Sequence, residues 1–558
     1  MKALDKNPSQ TVLFTALASA LWAPHCTAND DPSVMPLRAS GPAVVGEQLV
    51  WVNHTTSQLI AIDPSIVRTP KVFALDQEIA TAAFGQHEVL VLGRSRDDEV
   101  PVVDIVQFPS FDRKRISLFA HFNRLVMSKS GRSAILIHDI SQTGDAPVVA
   151  QNQNEIAVVD LVNGTARRVL LDTESTTPRN VIFSPEDQQA AVVLDGAIVL
   201  VGLGSSTDRI KVPLKLPSGG LLLPERVEFA PDGQHLMITV SGTSEVIVMN
   251  IYNTDETLDG SLNFISVPGA ATLLDIALPP VDVYDGHVAA LFRRANGPGT
   301  IAAEFDVSGD ASSVMPVELS GTASRIAYLE NGMLLIHGAP TAWATYSGSS
   351  GAEYVAAWAP REGRRDEDLL AGPTLGPPVL GQTTAFFVHR EGTSLTTTLT
   401  RVSLEASATR VAVELRPLVL GGVVKDYAAD PRTGGILLGI DIPRANSGAA
   451  PPLFEDDEDA GADYNTIDPY ATYPASEWIG DRTGTLTFVD PTDLAIRTLI
   501  LDDPVERVGL VGDYVFAVHA GALGDVTIAP LGNFDRAHAV RYDGALLAGL
   551  LTANEVNL

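Results

Sequence analysis

One pattern recurs along this chain and leaves little freedom in what it can fold into: a short apolar run, a tight polar turn and a second apolar run. It stands in TAAFGQHEVLVL, LVMSKSGRSAILI, VIFSPEDQQAAVVL and VEFAPDGQHLMITV, with Phe84, Met127, Phe183 and Phe229 in equivalent places. The spacing lies near the roughly 40–50 residues of a four-stranded propeller blade. Runs of four to six apolar residues suit strands covered on both faces, as stacked blades require, and helical periodicity is nowhere sustained.

Each unit follows one grammar. Strand a is short and apolar. A turn such as APDGQ, SPEDQ or DPRTGG follows, in which Pro presets φ, Asp or Ser caps the backbone and Gly accepts a positive φ. Strand b comes next, then a polar break, strand c, a turn often opened by Asp, and strand d. Asp63, Asp160 and Asp490 open such turns, and the expected role of each is an Asx-type hydrogen bond to the backbone. Units of this kind start near residues 43, 80, 124, 180, 226, 273, 324, 377, 424 and 506, the seventh and eighth being the weakest. The expected fold is all-β, a β-propeller of about ten four-stranded antiparallel blades. No Pro/Gly linker stands out midway, which favours one large ring over two smaller ones.

The stretches FAPDGQHLMITVSGTSEVIVMNI and LVWVNHTTSQLIAID resemble YVTN-type β-propeller repeats. Pro231, Asp232 and Gly233 match the turn, Asn53 the strand-ending Asn and Asp63 the closing Asp, and diluted copies cover most of the chain. The resemblance implies that the b–c and d–a connections share one face, commonly the binding face, and that strand a lines the channel.

The N-terminus reads as an export signal. Lys2 and Lys6 precede the apolar run 11–23, which is too short for a membrane span, and a polar NDDPS follows. Cleavage before Asn29 is one route; lipid modification of Cys26, the only cysteine, is the other. The expected organisation is an export signal at 1–28, a linker at 29–41, a propeller array at 42–543 and a tail at 544–558. The protein is then periplasmic or associated with the outer membrane or cell surface, and the fold is held without disulfides. With 38 basic against 68 acidic residues and a net charge of −30, nucleic acid is a poor partner. No later segment is long and apolar enough to span a membrane as a helix.

Two features decorate the blades. The residue closing strand b is Asn53, Gly93, His138, Asp195, Ser241, Arg293, His337, His389, Asp441 or His519. Four histidines at one repeat position suggest metal ligands, but positions on fanning blades form a ring rather than converge on one ion. His337 and His389, in consecutive units, are the one pair retained as candidate binding residues. The second feature is a long b–c connection at 442–483. It carries Glu455, Asp456, Asp457, Glu458, Asp459 and Asp463, then Tyr464, Tyr470, Tyr473 and Trp478. Acidic oxygens suit a divalent cation such as calcium, though EF-hand spacing is not met, and the aromatics suit a recognition surface.

Catalytic signatures such as G-x-S-x-G or H-E-x-x-H are absent. The function expected is that of an exported noncatalytic scaffold binding a protein, glycan or cation through its loop-decorated face, with no cofactor required. The alternative is a lactonase-like propeller hydrolase with a channel metal, as the resemblance allows. The strand-a stretches that would supply its ligands are mostly apolar, with Glu225, Arg226 and Glu228 the partial exception.

Overall fold

A computed structural model describes residues 38–547 except 67–69, 98, 140–153, 172–177, 205–208, 216–218, 241, 254–257, 309–312, 339–351, 390–396, 407–410, 444–481 and 521–523. Within it the chain forms ten four-stranded antiparallel sheets, each built from four consecutive strands in the order a–b–c–d. They span 39–74, 77–117, 124–170, 180–213, 224–266, 270–319, 325–370, 379–420, 423–500 and 505–542. These are blades 1 to 10 of one ring, starting close to the ten units read from the sequence. Only short 3-10 turns break the all-β composition of the described residues.

The alternation of side chains along a strand explains why the blades stack. In strand b of blade 1 (Gln48–Asn53), Leu49 and Trp51 point toward blade 10, whereas Val50 and Val52 point toward blade 2. Every neighbouring pair of blades shares such an apolar cluster. A side chain of this size contributes about 1.5–3 kcal/mol when fully buried. Strands b and c are therefore mostly apolar and buried, as in Gln48–Asn53 and Gln58–Ile62. Strands a and d are only partly covered, as in Arg124–Met127 and Lys71–Ala74.

The ring closes without a shared strand, because blades 1 and 10 are each built from consecutive strands. Trp51, Val518, Ile528 and Leu546 pack across that junction. Asn53 Nδ2 donates to the Leu546 carbonyl at 3.0 Å, so the first residues of the expected tail at 544–558 belong to the closure. Arg507 adds longer bonds to the carbonyls of Gly41 and Pro42. Strand a is bulged in blades 1, 2, 5, 6, 9 and 10. A bulge bends and twists the strand that carries it.

The two weakest repeats have visible causes. Strand a of blade 8 is only Val379–Leu380, hemmed by Pro377, Pro378 and Gly381. Strand b of blade 7 is only Leu334–His337. In blade 9, strands b (Ile436–Pro443) and c (Arg482–Val489) stay paired out to Pro443 opposite Arg482. The long connection is thus rooted on a complete hairpin, two residues further out at each end than the sequence suggests.

Candidate functional site at the junction of blades 7 and 8

His337 and His389 face the same junction. Leu335 points from blade 7 toward blade 8, so His337, two residues on, falls on the same side. Phe387 points from blade 8 back toward blade 7, and His389 follows it. The His337 ring stands edge-on to Phe387, with centroids 5.3 Å apart. Its Nδ1–H donates to the Gly338 carbonyl at 2.7 Å, while His389 Nε2 shares a 2.5 Å hydrogen bond with Thr400 Oγ1. Burial holds both imidazoles down to about 4, so they are neutral at ordinary pH.

Two residues that sequence reasoning missed complete this junction. Thr374, on the connection between blades 7 and 8, bridges the backbone of His389 and is itself buried. Glu353 opens strand c of blade 7, and its carboxylate accepts from the Thr374 backbone N–H at 2.6 Å and from the Thr374 hydroxyl at 3.2 Å. Burial pushes the Glu353 carboxyl up, against the pull of these two bonds. Gly338 lies so close that a Cβ there would collide with the carboxylate, and a Cβ on Gly321 would collide with the Tyr354 ring. At this end of blade 7 lies a cleft of about 460 Å³, lined by Gly321 and Thr322 of the blade 6–7 connection together with Gly338, Glu353, Tyr354, Leu369 and Pro373; the Tyr354 ring packs on the blade 6 side. Glu353 heads the apolar run EYVAAWA, so the strand itself hides it. The one available signal was a carboxylate placed where the other units begin strand c.

Several of the other strand-b ends are built into the frame, while Asp195 and Arg293 are exposed. Asn53 caps the N–H groups of Thr55 and Thr56, and His519 Nε2 bonds Thr527 Oγ1 at 2.7 Å. Asp441 accepts from the Val505 N–H of blade 10 at 3.0 Å and pairs with Lys425. His138 is buried, which lowers its pKa. Ser241, Cys26 and the candidates Asp456, Asp457, Glu458, Asp459, Asp463, Tyr470, Tyr473 and Trp478 lie outside the described residues.

Inward-facing carboxylates are engaged between blades. Asp275 of blade 6 takes Arg226 Nη1 of blade 5 at 2.6 Å and the Ile326 N–H of blade 7 at 3.1 Å. Glu228 chelates the same Arg226 from the other side. Asp426 of blade 9 likewise accepts from the Val508 N–H of blade 10 at 2.8 Å. Among the described residues no group of three His, Cys, Asp or Glu side chains is disposed to hold a metal ion. Likewise, no described helix is long and apolar enough to cross a membrane.

No protein-family model and no curated protein matches the sequence. Among solved structures, the chain is similar to a eukaryotic initiation factor, at 10% identity over 91% of this chain and 97% of that one, with a TM-score of 0.44. It is similar to dihydro-heme d1 dehydrogenase NirN in complex with DHE, at 15% identity over 72% and 71% of the two chains, with a TM-score of 0.34. A prolyl endopeptidase is similar at 12% identity, over 74% of this chain and 54% of that one, with a TM-score of 0.33. Such likenesses concern chain architecture and say nothing of activity.

Proposed function

We propose that the protein is an exported, noncatalytic scaffold of YVTN-type repeats that binds a protein or glycan through its b–c and d–a face. The blade 9 connection is its principal contact. The observation that carries this reading is the difference between the connections. Strands a and b are joined by as little as residues 46–47 or 512–513, whereas strands b and c are joined by 138–154 in blade 3, 338–352 in blade 7 and 444–481 in blade 9. Long connections on a rigid frame are where recognition residues concentrate. Asp275 and Asp426, which a channel metal would need free, are bonded to neighbouring blades, and this favours the scaffold over the hydrolase. Export is argued from Lys2, Lys6 and the apolar run 11–23, with Cys26 as the alternative lipid anchor. A divalent cation such as calcium belongs to the same proposal, held by the acidic run 455–463.

The test is replacement of 444–481 by a short Gly/Ser turn, with capture of partners from the native cell envelope as readout. Capture should be lost while the melting transition moves little, because the hairpin is already paired at its root. A variant that captures partners as well as the parent overturns the reading. Stoichiometric metal in the purified protein, bound outside 444–481, would move the assignment to the hydrolase.

A further inference from the structure

The dipeptide Asn-Gly occurs three times in the chain, at 163–164, 296–297 and 331–332. It is the pair most prone to lose its side-chain amide, because glycine, lacking a Cβ, lets its own nitrogen approach the asparagine Cγ. All three asparagines are exposed, so access to solvent does not separate them. Hydrogen bonding does. In the c–d turn of blade 3 the Gly164 N–H donates to the Asp160 carbonyl at 2.8 Å. The Asp160 carboxylate accepts from the Asn163 side-chain amide at 2.7 Å and from its N–H at 2.8 Å. In the a–b turn of blade 7 the Gly332 N–H donates to the Leu329 carbonyl at 3.0 Å, and Asn331 Oδ1 accepts from the Met333 N–H at 3.0 Å.

The third copy lies on 295–299, between strands b (His287–Arg294) and c (Thr300–Asp306) of blade 6. The ends of this connection are tied: the Ala295 N–H donates to the Gly269 carbonyl at 2.9 Å, and the Arg294 N–H to the Gly299 carbonyl at 3.4 Å. Between those ties, neither the Gly297 N–H nor the Asn296 side chain has a hydrogen-bond partner among the described residues. Pro298 has no N–H to donate. Gly297 and Gly299 bend the chain at φ 92° and 108°, and a Cβ on Gly297 would meet open space. We propose that Asn296 is a site of spontaneous self-modification in the folded protein. The Gly297 nitrogen gives its proton to water and bonds to the Asn296 Cγ, and the side-chain amide, protonated by solvent, leaves as ammonia. Water then opens the cyclic imide to aspartate or isoaspartate. The product adds a carboxylate to the b–c and d–a face, three residues beyond Arg293. At Asn163 and Asn331 the same attack must first break the turn, so those sites persist. The inference does not depend on what this face binds.

The experiment incubates the full chain in mildly alkaline buffer at body temperature, once folded and once in denaturing urea. Peptide mass spectrometry follows the conversion of each asparagine. The urea sample is the clock, and in it the three sites should convert at similar rates, since each is followed by glycine. In the folded protein Asn296 should stay close to its urea rate. Asn163 and Asn331 should fall below theirs by about tenfold or more, because a hydrogen-bonded amide must open before it can attack. Asn296→Gln, on an exposed connection, should remove the conversion seen in blade 6 and leave the other two sites unchanged. Conversion of Asn163 or Asn331 in the folded protein as fast as that of Asn296 overturns the proposal. So does an Asn296 slowed by folding as much as the other two.

Discussion

The two faces of the ring use polar side chains in opposite ways. On the a–b and c–d face, side chains are consumed in short turns and in links from blade to blade. Asp63, Asp160, Asp306 and Asp490 each accept a backbone N–H two or three residues on. Asp430 does the same in an a–b turn, and Ser184 accepts from the Gln188 N–H four residues on. Gln189 of blade 4 donates to the Gly233 carbonyl of blade 5, and Arg432 of blade 9 pairs with Asp513 of blade 10. On the b–c and d–a face, the histidines are buried and neutral, no described cation pairs with Glu353, and the three longest connections emerge, in blades 3, 7 and 9. One face carries the turn chemistry; the other carries the longest connections, while Asn53 and Asp441 on it also link blade to blade. Side chains committed to the frame cannot also serve as ligands, which is why function is sought on the second face.

The largest effect should come from breaking the first face at its most connected residue. Asp232 accepts from the N–H groups of Gln234 and His235, from His235 Nδ1 at 2.7 Å and from the Tyr284 hydroxyl at 2.5 Å. Burial alone would raise its pKa, but these bonds outweigh burial and bring it down to about 2. Asp232→Ala should cost about 2–4 kcal/mol in denaturant unfolding. A carboxyl whose folded pKa is depressed contributes stability that is complete above the unfolded value of 3.8 and lost as pH falls through 2. The gap between parent and variant should therefore shrink on acidification. A loss no larger than that of an ordinary surface aspartate would break the comparison.

The second face should also lose stability to acid, but at a higher pH. Burial depresses the folded pKa of His389 from 6.5 to about 4. The unfolded chain takes up a proton below pH 6.5 while the native one does not, so stability is full above 6.5 and declines toward 4. His389→Gln should reduce that acid-side loss by about 1–3 kcal/mol, read as melting temperatures between pH 7 and 4.5. An unchanged pH slope would mean that the imidazole titrates as it does in the unfolded chain and is reached by solvent, which would sharpen the case for His337 and His389 as a binding pair.

The smallest effect belongs to a single-turn cap. Among the described residues the Asp63 carboxylate bonds only the N–H and hydroxyl of Ser65. Asp63→Ala should cost about 0.5–1.5 kcal/mol, measurable by chemical denaturation. A cost matching that of Asp232→Ala would show that the caps, rather than the links between blades, hold this face.

Much of the frame was legible because it is local. A turn such as APDGQ fixes its own conformation within five residues, and an apolar run announces burial on both sides, so the blades could be placed without knowing their neighbours. Asp63, Asp160 and Asp490 bond as the Asx reading of each turn expects. The site was legible only in part. His337 and His389 could be paired as consecutive units, but their shared junction depends on which way each strand alternates, and unit spacing does not give that. Glu353 and Thr374 meet across a blade boundary, as do Arg226, Asp275 and Ile326. Such partners lie tens of residues apart with no common motif, so each reads alone as an isolated polar residue in an apolar stretch. The charged and aromatic run 455–478 was conspicuous in the sequence but lies outside the described residues.

Hydrogen–deuterium exchange of the protein with and without its captured partner tests the division of the two faces most directly. Slowed exchange should be confined to the b–c and d–a face, at the blade 9 hairpin end and at the connections around Gly321, Gly338 and Thr374. The turns at Asp232, Asp430 and Asp490 should exchange alike in both states. Protection concentrated at those turns, or along the strand-a residues around Asp275, would contradict the account.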